Sequence, residues 1–183
     1  DRSANEGVAI AVTDDSNKTG AVVEVNCETD FVAKNEEFVQ FGENVAKAVL
    51  STDVNSIDGL MEVNVGSDNV KGLYNEILAK FSEKIEIRRF EKIKTDGYIT
   101  EYVHAGSKLS VLIEVSEPNP NENAQTLIKD IAMQIAAMNP DYLSSDDVPE
   151  DRKQKEIAIF KEAAINEGKK EEIAEKIAIG KMN

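Results

Sequence analysis

The chain has 183 residues, 41% of them hydrophobic and 31% charged, with a formal net charge of −14. That length holds one domain or two small ones with real cores, and the composition is globular rather than disordered. The acidity opposes a nucleic-acid or anionic-membrane footprint, which needs clustered Lys and Arg, and suits a chain that meets other proteins.

Two strands open the chain. "GVAIAVT" (7–13) and "GAVVEVNC" (20–27) are rich in Val, Ile and Ala, and "DDSNKTG" between them is made of turn residues. A helix is expected over 35–50, capped by Asn35, with Glu36 and Glu37 at its positive end and Phe38, Phe41, Val45 and Val49 as its apolar stripe. A second helix is expected within 66–81, capped by Ser67 or Asp68, with Val70, Leu73, Ile77, Leu78 and Phe81 along one side. "EKIEIRRFEKI" (83–93) alternates as a strand does.

A break at 94–97 follows, and the opening grammar then repeats. "GYITEYVH" (97–104) and "KLSVLIEV" (108–115) read as strands joined by a tight "AGS" turn. A long helix over 121–138 carries Leu127, Ile128, Ile131, Ala132, Ile135 and Met138, and Asn139-Pro140 ends it. Pro149 suits the first turn of a further helix with the stripe Ile157, Phe160 and Ala164, which Gly168 can stop. A last helix is expected over about 170–179. "VVEVN" (22–26) and "LIEVS" (112–116) are each the second strand of a hairpin with a helix after it. The expectation is an α+β protein of two similar subdomains, 1–94 and an incomplete 95–183, each a small antiparallel sheet packed with helices.

Cys27 and His104 are the only residues of their types. One cysteine can form neither an internal disulfide nor a multi-cysteine metal site. A Cys–His pair can act as a nucleophile if the two meet, but a cysteine in a Val-rich strand is more often a small buried hydrophobe. The acidic group Asp146, Asp147, Glu150 and Asp151 lacks calcium-loop spacing and reads as helix N-terminal charge. There is no phosphate loop or dinucleotide fingerprint, so no nucleotide or cofactor site of the chain's own is expected.

The stretch "ETDFVAK" (28–34) stands apart: too short for a long helix and too apolar for a solvated loop. Thr29 or Asp30 can cap a single turn there. Composition favours Phe31 and Val32 folding back as a staple on the following helix. The alternative is an exposed anchor, since an aromatic beside a charge on a short rigid turn is good hot-spot chemistry. The residues alone leave both open.

"EVNCETDFVAKNEEF" (24–38) closely resembles the signature segment of the elongation factor Ts family. "KIEIRRFE", "YVHAGSKLSVLIEV", "DIAMQIAAMNPDYL" and "EEIAEKIAIGKMN" resemble later segments of the same family, in the same order, so the likeness covers nearly the whole chain. It implies a guanine nucleotide exchange factor, not an enzyme, whose partner is elongation factor Tu in its GDP-bound and nucleotide-free forms. It implies no cofactor, no nucleic-acid or membrane partner, and a cytoplasmic or organellar setting. It assigns partner contacts to Thr29, Asp30, Phe31 and Val32, with Phe31 wedging between partner helices and disturbing the magnesium and phosphate site. A second contact falls on Phe81-Ser82, where many members carry glycine in place of Ser82, and a third on His104. It also suggests that Asp1 follows a small helical domain and that the family continues beyond Met182. A passive module that binds elongation factor Tu without changing GDP release is the competing interaction reading.

Overall fold

The structure, a computed structural model, describes residues 3–182. Two compact units divide the chain, the first ending at Met138 and the second beginning at Asn139.

In the first unit, strands β1 (Glu6–Thr13) and β2 (Thr19–Cys27) form a hairpin. After the single turn α1 (Asp30–Ala33) comes helix α2 (Glu36–Ser51). The short helix α3 (Ile57–Met61), the two-residue strands β3 (Asn64–Val65) and β4 (Asp68–Asn69), and helix α4 (Val70–Phe81) lead to β5 (Glu86–Lys94). β5 pairs antiparallel with β2, giving a three-stranded sheet in the order β1-β2-β5. Alternation along the strands sends Val8 and Ile10 of β1, Ala21, Val23, Val25 and Cys27 of β2, and Ile87 of β5 into one core with Phe38, Phe41, Val45 and Val49 of α2. The α2 stripe read from the sequence is therefore buried along its whole length. In α4, Val70 and Ile77 are buried and Leu73, Leu78 and Phe81 pack against the same core.

The cap of α4 differs from expectation. Asn69 caps it, its side chain accepting from the Gly72 N–H at 2.8 Å. Ser67 and Asp68 are taken up by the β3–β4 hairpin, whose bend at Gly66 has φ +65°, a value glycine adopts without penalty. A bulge in β5 also breaks simple alternation. Glu24 pairs with Arg89 and Val25 with Ile87, so Arg88 is the extra residue. Both arginines then reach Glu24, Arg89 Nε at 2.6 Å and Arg88 Nε at 3.8 Å.

Strands β6 (Tyr98–Val103) and β7 (Ser110–Val115) form a second antiparallel pair, followed by helix α5 (Glu122–Met138). This hairpin packs on the β1–β2 sheet near Gly20, where a Cβ would stand 2.8 Å from Leu112 Cδ1 and 2.9 Å from Ile99 Cγ2. Hydrogen bonds join the layers: Ile99 N–H to Asn17 O at 2.7 Å, Ala9 N–H to Ser107 O at 2.6 Å, and Thr13 Oγ1 to Glu101 Oε2 at 2.8 Å. Lys18 Nζ donates to the carbonyls of Asp96 and Gly97 and, at 2.6 Å, of Pro118. α5 lies on β6 and β7 with Ile128 and Ala132 buried. Its expected stripe is only partly covered: Leu127, Ile131 and Met138 are exposed. The fold is α+β, with the β1-β2-β5 sheet and the β6–β7 pair each backed by helices.

The second unit is a helical hairpin of α6 (Glu150–Asn166) and α7 (Glu171–Met182). Pro149 stands immediately before α6, and the Gly168 N–H closes on Ile165 O at 2.8 Å. Ala164, Ala174 and Ala178 are buried, and Lys161 Nζ lies 3.0 Å from Glu171 and 3.6 Å from Glu175. No helix among the described residues is long and apolar enough to cross a membrane.

Candidate functional site

β2 ends at Cys27, and the chain turns at once. Thr29 is extended, and its Oγ1 accepts from the Val32 N–H at 3.3 Å, capping α1. The Ala33 N–H closes on Thr29 O at 3.2 Å and the Lys34 N–H on Asp30 O at 3.1 Å. Successive residues of a helical turn point about 100° apart. Val32 and Ala33 point inward and are buried, which turns Phe31 outward to 79% exposure. The staple expectation therefore holds for Val32 and is corrected for Phe31. Asp30 lies 2.8 Å from Lys34 Nζ, and this hydrogen bond holds its carboxyl below the usual carboxylate range, with Lys108 adding to the effect. A fixed negative charge thus sits beside an exposed aromatic ring.

The end of α4 meets this turn from the other side. Phe81 is half-buried and Ser82 exposed. Ser82 takes the left-handed conformation at φ 52°, with its N–H on Leu78 O at 3.1 Å. That conformation is one glycine adopts most readily, so a serine here holds it against its own preference. The next residue, Glu83, connects the two segments. Its Oε2 accepts from the N–H groups of Glu28 at 3.2 Å and Thr29 at 3.1 Å, and its Oε1 from the Thr29 hydroxyl at 2.7 Å. In return Glu28 Oε1 accepts from the Lys84 N–H at 2.6 Å. Thr29–Val32 and Phe81-Ser82 are thus held together.

His104 is exposed just past β6 and bonds within its own hairpin. Its Nδ1 is 2.9 Å from the Tyr102 hydroxyl, and its N–H donates to Leu109 O at 2.9 Å. Lys108, on the same turn, pairs with Glu6 and adds its charge to the field at Asp30. Glu83, Glu28 and Lys108 carry no local sequence signal of this role, because the first two act across 54 to 56 residues and the third across the two sheets.

Cys27 is fully buried, and its thiol donates to Thr29 O at 3.2 Å. Burial, then the negative charge of Glu83, pushes the thiol up to about 11. A buried, protonated thiol is a poor nucleophile. The cleft on the open face of the first sheet, about 630 Å³, is lined in part by charged groups already paired, Glu24 with Arg89 and Glu6 with Lys108. In the Thr29–Val32 turn, Thr29, Asp30 and Phe31 face outward, whereas Val32 is buried beneath them.

Comparison with known proteins bears on the chain as a whole. The family described as "Elongation factor TS" matches residues 28–183, a span that starts at the base of the Thr29–Val32 turn. The chain belongs to the elongation factor Ts family. Elongation factor Ts of Halothermothrix orenii is 41% identical to it over 184 residues, covering 99% of this chain and 61% of that protein. The Clostridium acetobutylicum elongation factor Ts is 40% identical, covering 99% and 60%. That of Aquifex aeolicus is 36% identical, covering 99% and 65%. The chain spans about three fifths of the length of the elongation factor Ts proteins it matches.

Proposed function

We propose that this chain is a guanine nucleotide exchange factor that speeds GDP release from elongation factor Tu by inserting the Thr29–Val32 turn. The observation that carries the reading is Phe31, an aromatic 79% exposed on a turn whose neighbours Val32 and Ala33 are buried. Rigidity is what an inserted group requires, since a floppy segment would have to be ordered during association. In this reading Phe31 enters an apolar gap between partner helices. Asp30, held ionised by Lys34, presents charge to polar groups beside that gap. Phe81-Ser82 supplies a second contact, and His104 a third from just past β6, in the subdomain that this reading begins near residue 95.

The chemistry is linkage rather than catalysis of a bond. A factor that binds nucleotide-free partner more tightly than GDP-bound partner must weaken GDP by the same ratio. Burying an exposed phenylalanine gives about 1.5–3 kcal/mol. At about 1.4 kcal/mol per power of ten, this covers roughly one to two powers of ten. Any larger weakening draws on Asp30 and the other contacts. The effect on the partner's magnesium and phosphate site follows from displacement of the helices that hold it. No cofactor, nucleic acid or membrane enters, and the setting is a cytoplasm or an organelle that makes protein.

The test is GDP release from elongation factor Tu. Asp30→Ala with Phe31→Ala should cut the stimulation by about tenfold or more, since the anchor's burial is lost. Thermal unfolding should stay within a few degrees of the parent, because exposed groups contribute little to stability. Equal stimulation by the double variant would overturn the wedge. Binding without any acceleration by the parent would favour the passive module.

A further inference from the structure

α1 has four residues, far below the length at which a helix sustains itself in water. Something outside the turn must hold it. Val32 and Ala33 anchor it from the core side. On the exposed side the anchor is Glu83, whose carboxylate collects two N–H groups and one hydroxyl from Glu28 and Thr29.

We propose that Glu83 is a positioning residue for nucleotide exchange, which sets the Thr29–Val32 turn and fixes its distance from Phe81-Ser82. This rests on the exchange reading above. The Thr29 hydroxyl has one hydrogen, and it goes to Glu83 Oε1 at 2.7 Å. Its lone pairs are then turned toward the Val32 N–H, which they accept at 3.3 Å. The carboxylate thus orients the cap, and the cap orients the turn that carries Phe31. Glu83 is itself pinned. Before it, the Ser82 N–H closes α4 on Leu78 O. After it, the Tyr74 hydroxyl donates to Ile85 O at 2.7 Å. The Glu28–Lys84 bond runs in the opposite sense across the same gap, so the two segments form a closed ring of side chain and backbone. Charge-assisted bonds of this kind are about twice as strong as neutral ones.

A positioning residue makes a prediction that a wedge residue does not. Without Glu83 the turn frays in the free factor and re-forms in the complex, so the cost falls on association alone. Glu83→Ala should raise the half-saturating factor concentration about tenfold and leave the plateau rate of GDP release within about twofold of the parent. Phe31→Ala should lower the plateau. Glu83→Gln, which keeps one good acceptor and loses the charge, should fall between parent and Glu83→Ala. In the free chain, amide hydrogen exchange at Val32, Ala33 and Lys34 should quicken about tenfold in Glu83→Ala, with the amides of α2 and β2 unchanged. If the α2 amides also lose protection, Glu83→Gln takes the place of Glu83→Ala in both measurements. Unchanged protection at 32–34, or a plateau lowered as far as by Phe31→Ala, overturns the proposal. If the parent does not speed GDP release, the exchange reading falls, and the amide measurement alone decides whether Glu83 holds the turn.

Discussion

At the scale of single residues, Phe31 and Val32 show what neighbours can conceal. Both are apolar, and composition cannot say which one turns inward. One helical step separates them, and the core beneath takes Val32 while Phe31 stands in water. Cys27 was legible as a buried hydrophobe from its Val-rich strand, and its chemistry follows from that burial. Its ordinary value of 9.0 rises to about 11 in the fold. The native state therefore keeps a proton that the unfolded chain gives up above pH 9, and stability falls as pH rises from about 9 to about 11. Urea melts across that range should show a steeper loss for the parent than for Cys27→Ala. An equal slope in both would show that the thiol titrates normally. The same burial predicts that iodoacetamide leaves the native chain unmodified at pH 8 and reacts once urea unfolds it.

At the scale of elements, periodicity told where helices and strands run, and local competition decided their ends. The α2 stripe follows the expected three- and four-residue steps, and every member of it is buried. The start of α4 lies beyond its expected cap because two good capping residues, Ser67 and Asp68, precede a third, Asn69. The β3–β4 hairpin holds Ser67 in its bend and Asp68 opposite Val65, and Asn69, its last residue, is the one next to the helix. Asn69→Ala should therefore cost about 1 kcal/mol in urea unfolding, while Ser67→Ala stays within about 0.5 kcal/mol of the parent. The reverse order would restore Ser67 as the cap. α5 shows a different limit. An apolar stripe states what a helix could bury, and here the β6–β7 hairpin covers Ile128 and Ala132 but not Leu127 or Ile131.

At the scale of the whole molecule, the repeated hairpin-then-helix grammar makes the α+β class readable in the sequence. How one hairpin lies on the other was not readable, because the contacts that set it join residues far apart. Lys18 reaches Asp96 and Gly97 across 78 and 79 positions and Pro118 across 100. The brace at the candidate site is hidden for the same reason, Glu83 being 54 residues beyond Thr29. The exposed ring of Phe31 also has a colloidal consequence. An apolar knob that cannot retract is adhesive, and only long-range repulsion keeps two such knobs apart. With a net charge of −14 that repulsion is strong in dilute buffer, but its reach shrinks from about 10 Å at 0.1 M salt to about 3 Å at 1 M. Light scattering should therefore register growing self-association of the parent as salt is raised, and Phe31→Ala should stay dispersed. Indifference of both chains to salt would mean that the knob is too small to stick. The same side chain that would open a partner's nucleotide site is, in a solution without that partner, an adhesive point on the surface, and the net acidic charge of the chain is what opposes its self-association.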